Sequence, residues 1–213
     1  MATYDLDEQE RLDELKAWWK RWGNLVMVGL AVVVAAAAGW RYWQNQVVTQ
    51  SLEAATVYEQ LTRSLAANDA KAARDAGAML IDQYKGTAYA PRAALLLAKL
   101  NVGAKDLKSA QVQLEWAVAN SKEPAVKDLA RLRLAGVQLD QKQYDAALKT
   151  LSATHSDAFA FRFHDLKGDV LLAQGKPAEA RAAYQAAFGK VAEDNAYRNI
   201  VELKLDALGG EAK

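Results

Sequence analysis

Hydrophobic and polar positions divide this chain into one long apolar block followed by a train of shorter amphipathic ones. No charged residue occurs from Trp22 to Trp40, and Leu25 to Ala38 is apolar without a break. A helix rises ~1.5 Å per residue, so these nineteen residues reach about 28 Å, close to the ~30 Å hydrocarbon core of a bilayer. The pattern predicts a transmembrane helix over 22–43. Trp18, Trp19 and Trp22 precede it and Trp40, Tyr42 and Trp43 close it. Such amphipathic rings settle at headgroup depth, so these six are candidate interfacial anchors. A helix apolar all round also fits the centre of a soluble core, which is the competing reading. Within the span Ala31, Ala35 and Gly39 recur every four residues. Small residues at that spacing let a second helix approach closely, so they form a candidate packing face. Upstream, Leu12, Leu15, Trp18, Trp19 and Trp22 make an amphipathic stripe suited to the inner membrane surface. Residues 1–15 read equally as a frayed helix or as disorder.

Beyond Trp43 the period stays helical. Val47, Leu52, Ala55, Tyr58, Leu61 and Leu65 predict a helix continuing through Gln44 to Ala66. Asn68-Asp69 predicts a turn and cap. A second helix follows, with Ala72, Ala76, Met79, Leu80 and Tyr84 on one face and its end at Lys85-Gly86. From Tyr89 the helices pair and the pairs repeat. Ala98 is followed by Ala110 and Leu114, Ala135 by Ala147 and Leu151, and Gly168 by Ala180 and Tyr184. Ala110, Ala147 and Ala180 stand 37 and 33 residues apart, a period of stacked helix–turn–helix units. Two helices approach closely only where neither carries bulk, so the small residues mark contacts within units and the large ones fill the space between units. Pro91 and Pro124 fall near helix starts, where a missing N–H costs nothing. Residues 50–84 are a degenerate fourth candidate, and Ala196 to Leu208 reads as a closing helix.

Charge orients the span. Arg11, Lys16, Lys20 and Arg21 precede it and only Arg41 follows closely, so the N-terminus belongs in the cytoplasm and the rest outside it. The acidic residues Asp5, Asp7, Glu8, Glu10, Asp13 and Glu14 carry little weight in that rule. A cleaved signal peptide competes, because Ala36-Ala37-Ala38 satisfies an A-x-A site; the long acidic leader and the Tyr42–Trp43 pair argue for retention.

Removing tail and anchor from 213 residues leaves about 170, enough for one core or a short repeat array. Of 27 Lys and Arg, 5 precede residue 44, leaving 22 against 20 Asp and Glu. That near-neutral part carries no basic stripe and excludes nucleic acid as a partner. With no cysteine there is no disulfide or thiol chemistry. His155 and His164, the two histidines, have no ligand pattern around them, and no phosphate loop or nucleophile elbow occurs. No catalytic, cofactor or metal site is expected, and the chain reads as a non-enzyme.

The expected fold is all-α, an N-terminal transmembrane helix followed by an α-solenoid. Its divisions are a tail at 1–21, the span at 22–43, a linker helix and degenerate pair at 44–86, and repeats with a capping helix at 87–213. The stretch GDVLLAQGKPAEARAAYQAA (168–187) resembles the tetratricopeptide signature, with Lys167 before it and Gln138 in the second unit as departures. Together with ELKAWWKRWGN (14–24) and GWRYW (39–43), it makes the chain similar to the bacterial ancillary SecYEG translocon subunit family. That resemblance implies a bacterial inner-membrane protein with one span and a periplasmic repeat domain. It implies partners in SecYEG, a membrane-anchored periplasmic chaperone related to peptidyl-prolyl isomerases, and newly exported polypeptides. An identical architecture would serve a structural adaptor of another envelope assembly, for outer-membrane protein insertion or cell-wall synthesis.

A helical solenoid binds along the concave face made by the first helix of each unit. By the repeat alignment that face carries Arg92, Leu95 and Lys99, then Leu129 and Leu132, then Arg162, Asp165 and Asp169. Phe159, Phe161 and Phe163 cannot all share one helical face. Two are expected in the core, with Phe161 left open.

Overall fold

The computed structural model describes residues 3–209, with side chains from Arg11 onward; those of Asp5, Leu6, Asp7, Glu8 and Glu10 lie outside the described residues. The described elements are all α-helices: α1 (Thr3–Ala66), α2 (Ala70–Gln83), α3 (Tyr89–Gly103), α4 (Leu107–Asn120), α5 (Pro124–Asp140), α6 (Tyr144–Leu151), α7 (Asp157–Ala173), α8 (Pro177–Phe188) and α9 (Tyr197–Ala207). The chain divides into two compact units, Met1–Gln50 and Ser51–Lys213.

In the first unit α1 runs unbroken through residues 43 and 44, as the continuing helical period predicts. From Arg11 to Gln50 only Gly23 is buried. Leu25 is 66% exposed and Val32 63%, so this stretch is no core helix. Among the described residues α1 is the one helix long and apolar enough to cross a membrane. Its backbone satisfies its own hydrogen bonds, which is what a lipid interior demands of a spanning segment. Trp18 and Trp19 lie 6.3 Å apart by ring centroid, and Trp40 and Trp43 5.5 Å apart. Trp19 folds back over Gly23, where an added Cβ would sit 3.1 Å from the indole.

In the second unit one turn is used four times. Asn68, Lys105 and Lys142 have φ of 57°, 60° and 60°, and Gly175 has 77°. These left-handed residues stand 37, 37 and 33 residues apart. Around each, the helix closes with the same two bonds, as in Lys105 N–H to Val102 O (2.9 Å) and Asp106 N–H to Asn101 O (2.9 Å). This paired pattern satisfies carbonyls that a helix C-terminus otherwise strands. It then hands the chain to the next helix, whose N-cap Asp69 or Asp106 accepts from the backbone at 3.0 and 3.1 Å. Residues 51–83 therefore form a full unit in phase with the other three. Glycine and, after it, asparagine are the low-strain choices at such a φ, so Asn68 and Gly175 announce the turn in the sequence while Lys105 and Lys142 do not.

The predicted small contacts are in place: Ala98, Ala110, Ala135, Ala147 and Ala180 are at most 1% exposed. In the first unit the sizes are exchanged, which hid it. Leu61 stands 37 residues before Ala98 and Gly77 stands 37 before Leu114. Leu61 is fully buried, and Leu97 of α3 lies on Gly77. Three expectations for this region shift. The buried face of α2 is Ala73, Ala76, Gly77 and Leu80, leaving Met79 41% exposed. Leu52 is exposed, with Ala54 taking its core position one turn before Tyr58. The end of α2 comes at Gln83, before Gly86, which is not left-handed.

The departure at Gln138 has a use: its Oε1 accepts from Thr150 Oγ (2.8 Å) and ties α5 to α6 in the interior. Phe163 is buried and Phe159 packs partly against the same cluster. Phe161 turns outward and meets Tyr197 of α9 edge-on at 5.3 Å.

Candidate functional site

Helices α3, α5 and α7 lie side by side and form the inner layer of the second unit. Three cavities follow one another along it. The first, about 780 Å³, lies where Leu65 of α1, Arg74 of α2 and Leu96, Lys99 and Leu100 of α3 meet. The second, about 410 Å³, is lined by Lys99, Val102, Leu114, Arg133, Gly136 and Asp140. The third, about 360 Å³, holds Leu129, Leu132, Arg133, Arg162, Asp165 and Lys204. Lys99 belongs to the first two and Arg133 to the last two, so the cavities form one discontinuous groove. Its floor is apolar and its rims are charged.

The predicted face is only partly available. Leu95 is 5% exposed and Leu132 9%; both belong to the core because the inner helices pack tightly enough to swallow their i+3 positions. Arg92 lies outside these cavities. Its guanidinium donates to both oxygens of Glu123 at 2.8 and 2.6 Å and to Ala88 O at 2.8 Å, clamping α3 to the start of α5. Asp165 and Asp169 are used internally. Lys204 Nζ of α9 donates to Asp165 at 2.8 Å and to Asp169 at 2.7 Å. Tyr197 O–H also donates to Asp165 (2.6 Å), and Tyr184 O–H to Asp169 (2.7 Å). These carboxylates latch the closing helix. Lys99, Leu129 and Arg162 remain at the surface, with Arg162 set against the rings of Phe161 and Tyr197 at 5.7 Å each.

Burial and then the carboxylate hydrogen bonds push the phenols of Tyr184 and Tyr197 well above the usual tyrosine range. Burial opposes the charge on Lys204, but bonding to Asp165 and Asp169 overcomes it and raises its value. The latch is thus fully formed at neutral pH. Arg133, on the other side of the groove, was missed from the sequence. It aligns with Leu96 and not with any charged position of the other units, so periodicity gave no signal for it.

His155 stacks on Phe163 at 4.2 Å between ring centroids, and His164 lies edge-on to His155 at 6.5 Å. Burial holds His164 below the usual imidazole value, and the charges of His155, Lys167 and Lys190 act in the same direction. A histidine depressed in the folded state is protonated more easily when unfolded. The contribution of His164 to stability is therefore full above about pH 6.5 and is lost as pH drops through that value toward the folded pKa. Urea midpoints near pH 7.5 and 5 should show a smaller loss for His164→Asn than for the natural chain. Among the described residues no group of three His, Cys, Asp or Glu is placed to hold a metal.

Residues 16–210 match the tetratricopeptide repeat-like domain family. The chain is 32% identical over 209 residues to the ancillary SecYEG translocon subunit of Neisseria gonorrhoeae, covering 98% of this chain and all of the relative. It is 31% identical over 186 residues to the ancillary SecYEG translocon subunit of Escherichia coli, covering 87% and 89%. The protein of that name from Haemophilus influenzae is 30% identical over 185 residues, covering 87% and 90%. The fold is that of an all-α tetratricopeptide-like protein with an N-terminal apolar helix. The chain belongs to the ancillary SecYEG translocon subunit family.

Proposed function

We propose that this chain is a non-catalytic scaffold anchored in the bacterial inner membrane beside the SecYEG translocon. Residues 22–43 span the bilayer, the tail at 1–21 stays in the cytoplasm, and the helices from residue 44 onward work in the periplasm. The observation that carries this reading is the joining of one lipid-suited helix to a grooved repeat unit in a chain whose relatives are named as translocon subunits. Ala31, Ala35 and Gly39 serve as the face on which another membrane helix packs, and the six aromatic anchors hold the span at its depth. The inner groove receives newly exported polypeptides and passes them to periplasmic chaperones, among them a membrane-anchored one related to peptidyl-prolyl isomerases.

Photocrosslinkers placed at Ala35 and at Lys99 in living cells test this. The expected products are an adduct with SecY from the first position and adducts with exported chains or a periplasmic chaperone from the second. Adducts confined to outer-membrane insertion or wall-synthesis machinery would overturn the translocon role. Protease added to spheroplasts should digest the part after residue 43; survival of that part beside a digested periplasmic control would reverse the topology.

A further inference from the structure

Two groove cations that lack an anion share one cavity. Lys99 and Arg133 line the same 410 Å³ cavity from adjacent helices, and no described carboxylate lies within ion-pair distance of either. Arg133 Nη1 reaches across to donate to Leu95 O on α3 at 3.3 Å, one helical turn before Lys99. Its guanidinium is thereby carried toward the lysine. The rest of the lining is apolar: Ala98, Val102, Leu114 and Val137, with Gly136 leaving the middle of the floor bare. Asp140 lies at one end, a full two turns from Arg133 along α5. The adjoining cavity adds Arg74 above Leu65, Leu96 and Leu100. Cations beside an apolar floor gain from an incoming carboxylate more than cations surrounded by water do. Burial holds Arg133 below the usual arginine value.

We propose that this half of the groove binds an extended apolar polypeptide segment carrying a single acidic side chain, whose carboxylate sits between Lys99 and Arg133. Charge complementarity selects this occupant. A basic segment would meet two unpaired cations, and a purely apolar one would leave them desolvated and unanswered. The other half of the groove is less suited to the same role, because Asp165 and Asp169 already occupy Lys204 and Arg162 lies against the rings of Phe161 and Tyr197. The inference rests on the scaffold reading above for the claim that the groove holds protein.

The test uses the full chain in lipid nanodiscs and a labelled, end-capped nonapeptide, Ser-Ala-Leu-Val-Glu-Leu-Val-Ala-Ser, whose one charge is its central carboxylate. Analogues replace that Glu with Gln or Lys. Anisotropy should give binding about tenfold tighter for the Glu peptide than for the Gln peptide. The double variant K99E/R133E should invert the order and favour the Lys peptide. Both residues are exposed, and the loss of the Arg133 bond to Leu95 O should cost little, so a cooperative melting curve close to that of the natural chain serves as the control against misfolding. Equal binding of the Glu and Gln peptides, no binding of either, or unchanged Glu-peptide binding by the double variant would each overturn the proposal. SecY crosslinking from Ala35 does not involve these cations. It therefore reports separately on the translocon role.

Discussion

Replacing Lys204 with methionine is expected to release α9 and to be the most damaging single change at the surface of the repeat unit. The methionine keeps the apolar stem and removes only the charge. Asp165 is 3% exposed and loses a cation that contacts both its oxygens at 2.8 and 2.9 Å. Stranding a buried charge in this way costs about 3–5 kcal/mol. The lower end applies here, because Tyr197 still donates to Asp165 and the Lys204 side chain is 28% exposed. At ~2–4 °C per kcal/mol for a domain of this size, a loss of ~3 kcal/mol lowers the melting temperature by roughly 6–12 °C. Repeat units contact only their neighbours, so the damage should begin locally. Hydrogen exchange should accelerate across Tyr197–Ala207 before it does in α3. Adding Asp165→Asn to the variant should restore at least half of the loss, since no buried charge is then left unpaired. A melting temperature within a degree or two of the natural chain would mean that α9 is held by Val201 and Leu205 alone.

The same latch explains what the sequence could and could not convey. The span was legible because lipid imposes a simple rule, and nineteen uncharged residues between aromatics satisfy it. The repeat was legible in its later units because close helix contacts require small residues in fixed register, and Ala98, Ala135 and Gly168 keep that register. The first unit hid because Leu61 and Gly77 exchange the usual sizes, and the turns at Lys105 and Lys142, unlike those at Asn68 and Gly175, fall to residues that do not signal them. Nothing in a lysine's chemistry marks it for a left-handed φ; the geometry comes from the two helices it joins. The groove was the least legible feature. A repeat alignment assigns residues to a face, but it cannot say which carboxylates are already consumed. Asp165 and Asp169 lie 39 and 35 residues from the lysine that takes them, and that lysine belongs to the one helix outside the repeat. Arg92 is lost to Glu123 in the same way, 31 residues on. Long-range pairing of surface-type residues leaves no periodic trace, so an alignment cannot tell a paired charge from an unpaired one.

Gly168→Ala should destabilise the chain by about 2 kcal/mol, although alanine is the better helix former. A Cβ at this position would sit 2.5 Å from Tyr184 Cδ1 and 2.8 Å from Cζ, and closer still to Cε1. The ring has no retreat. Tyr184 is 1% exposed, its hydroxyl is fixed by Asp169, and Ala180, Ala183 and Leu205 surround it. Either α7 and α8 separate or the tyrosine leaves its bond and its rotamer. Overpacking of this kind costs up to ~3 kcal/mol, against a helix-propensity gain of ~1 kcal/mol. Gly136→Ala separates the two terms, because nothing lies within 4 Å of its added Cβ. That variant should gain up to ~1 kcal/mol, so two identical substitutions at aligned helices move stability in opposite directions. In a Tyr184→Leu background the overpacking should vanish and Gly168→Ala should turn from a cost of about 2 kcal/mol to a gain of up to ~1 kcal/mol, a coupling of about 3 kcal/mol in the double-mutant cycle. Additive effects in that cycle would show that the glycine serves something other than room for the ring. The measurement is urea unfolding of all four chains, with melting slopes checked for equality so that the differences report stability.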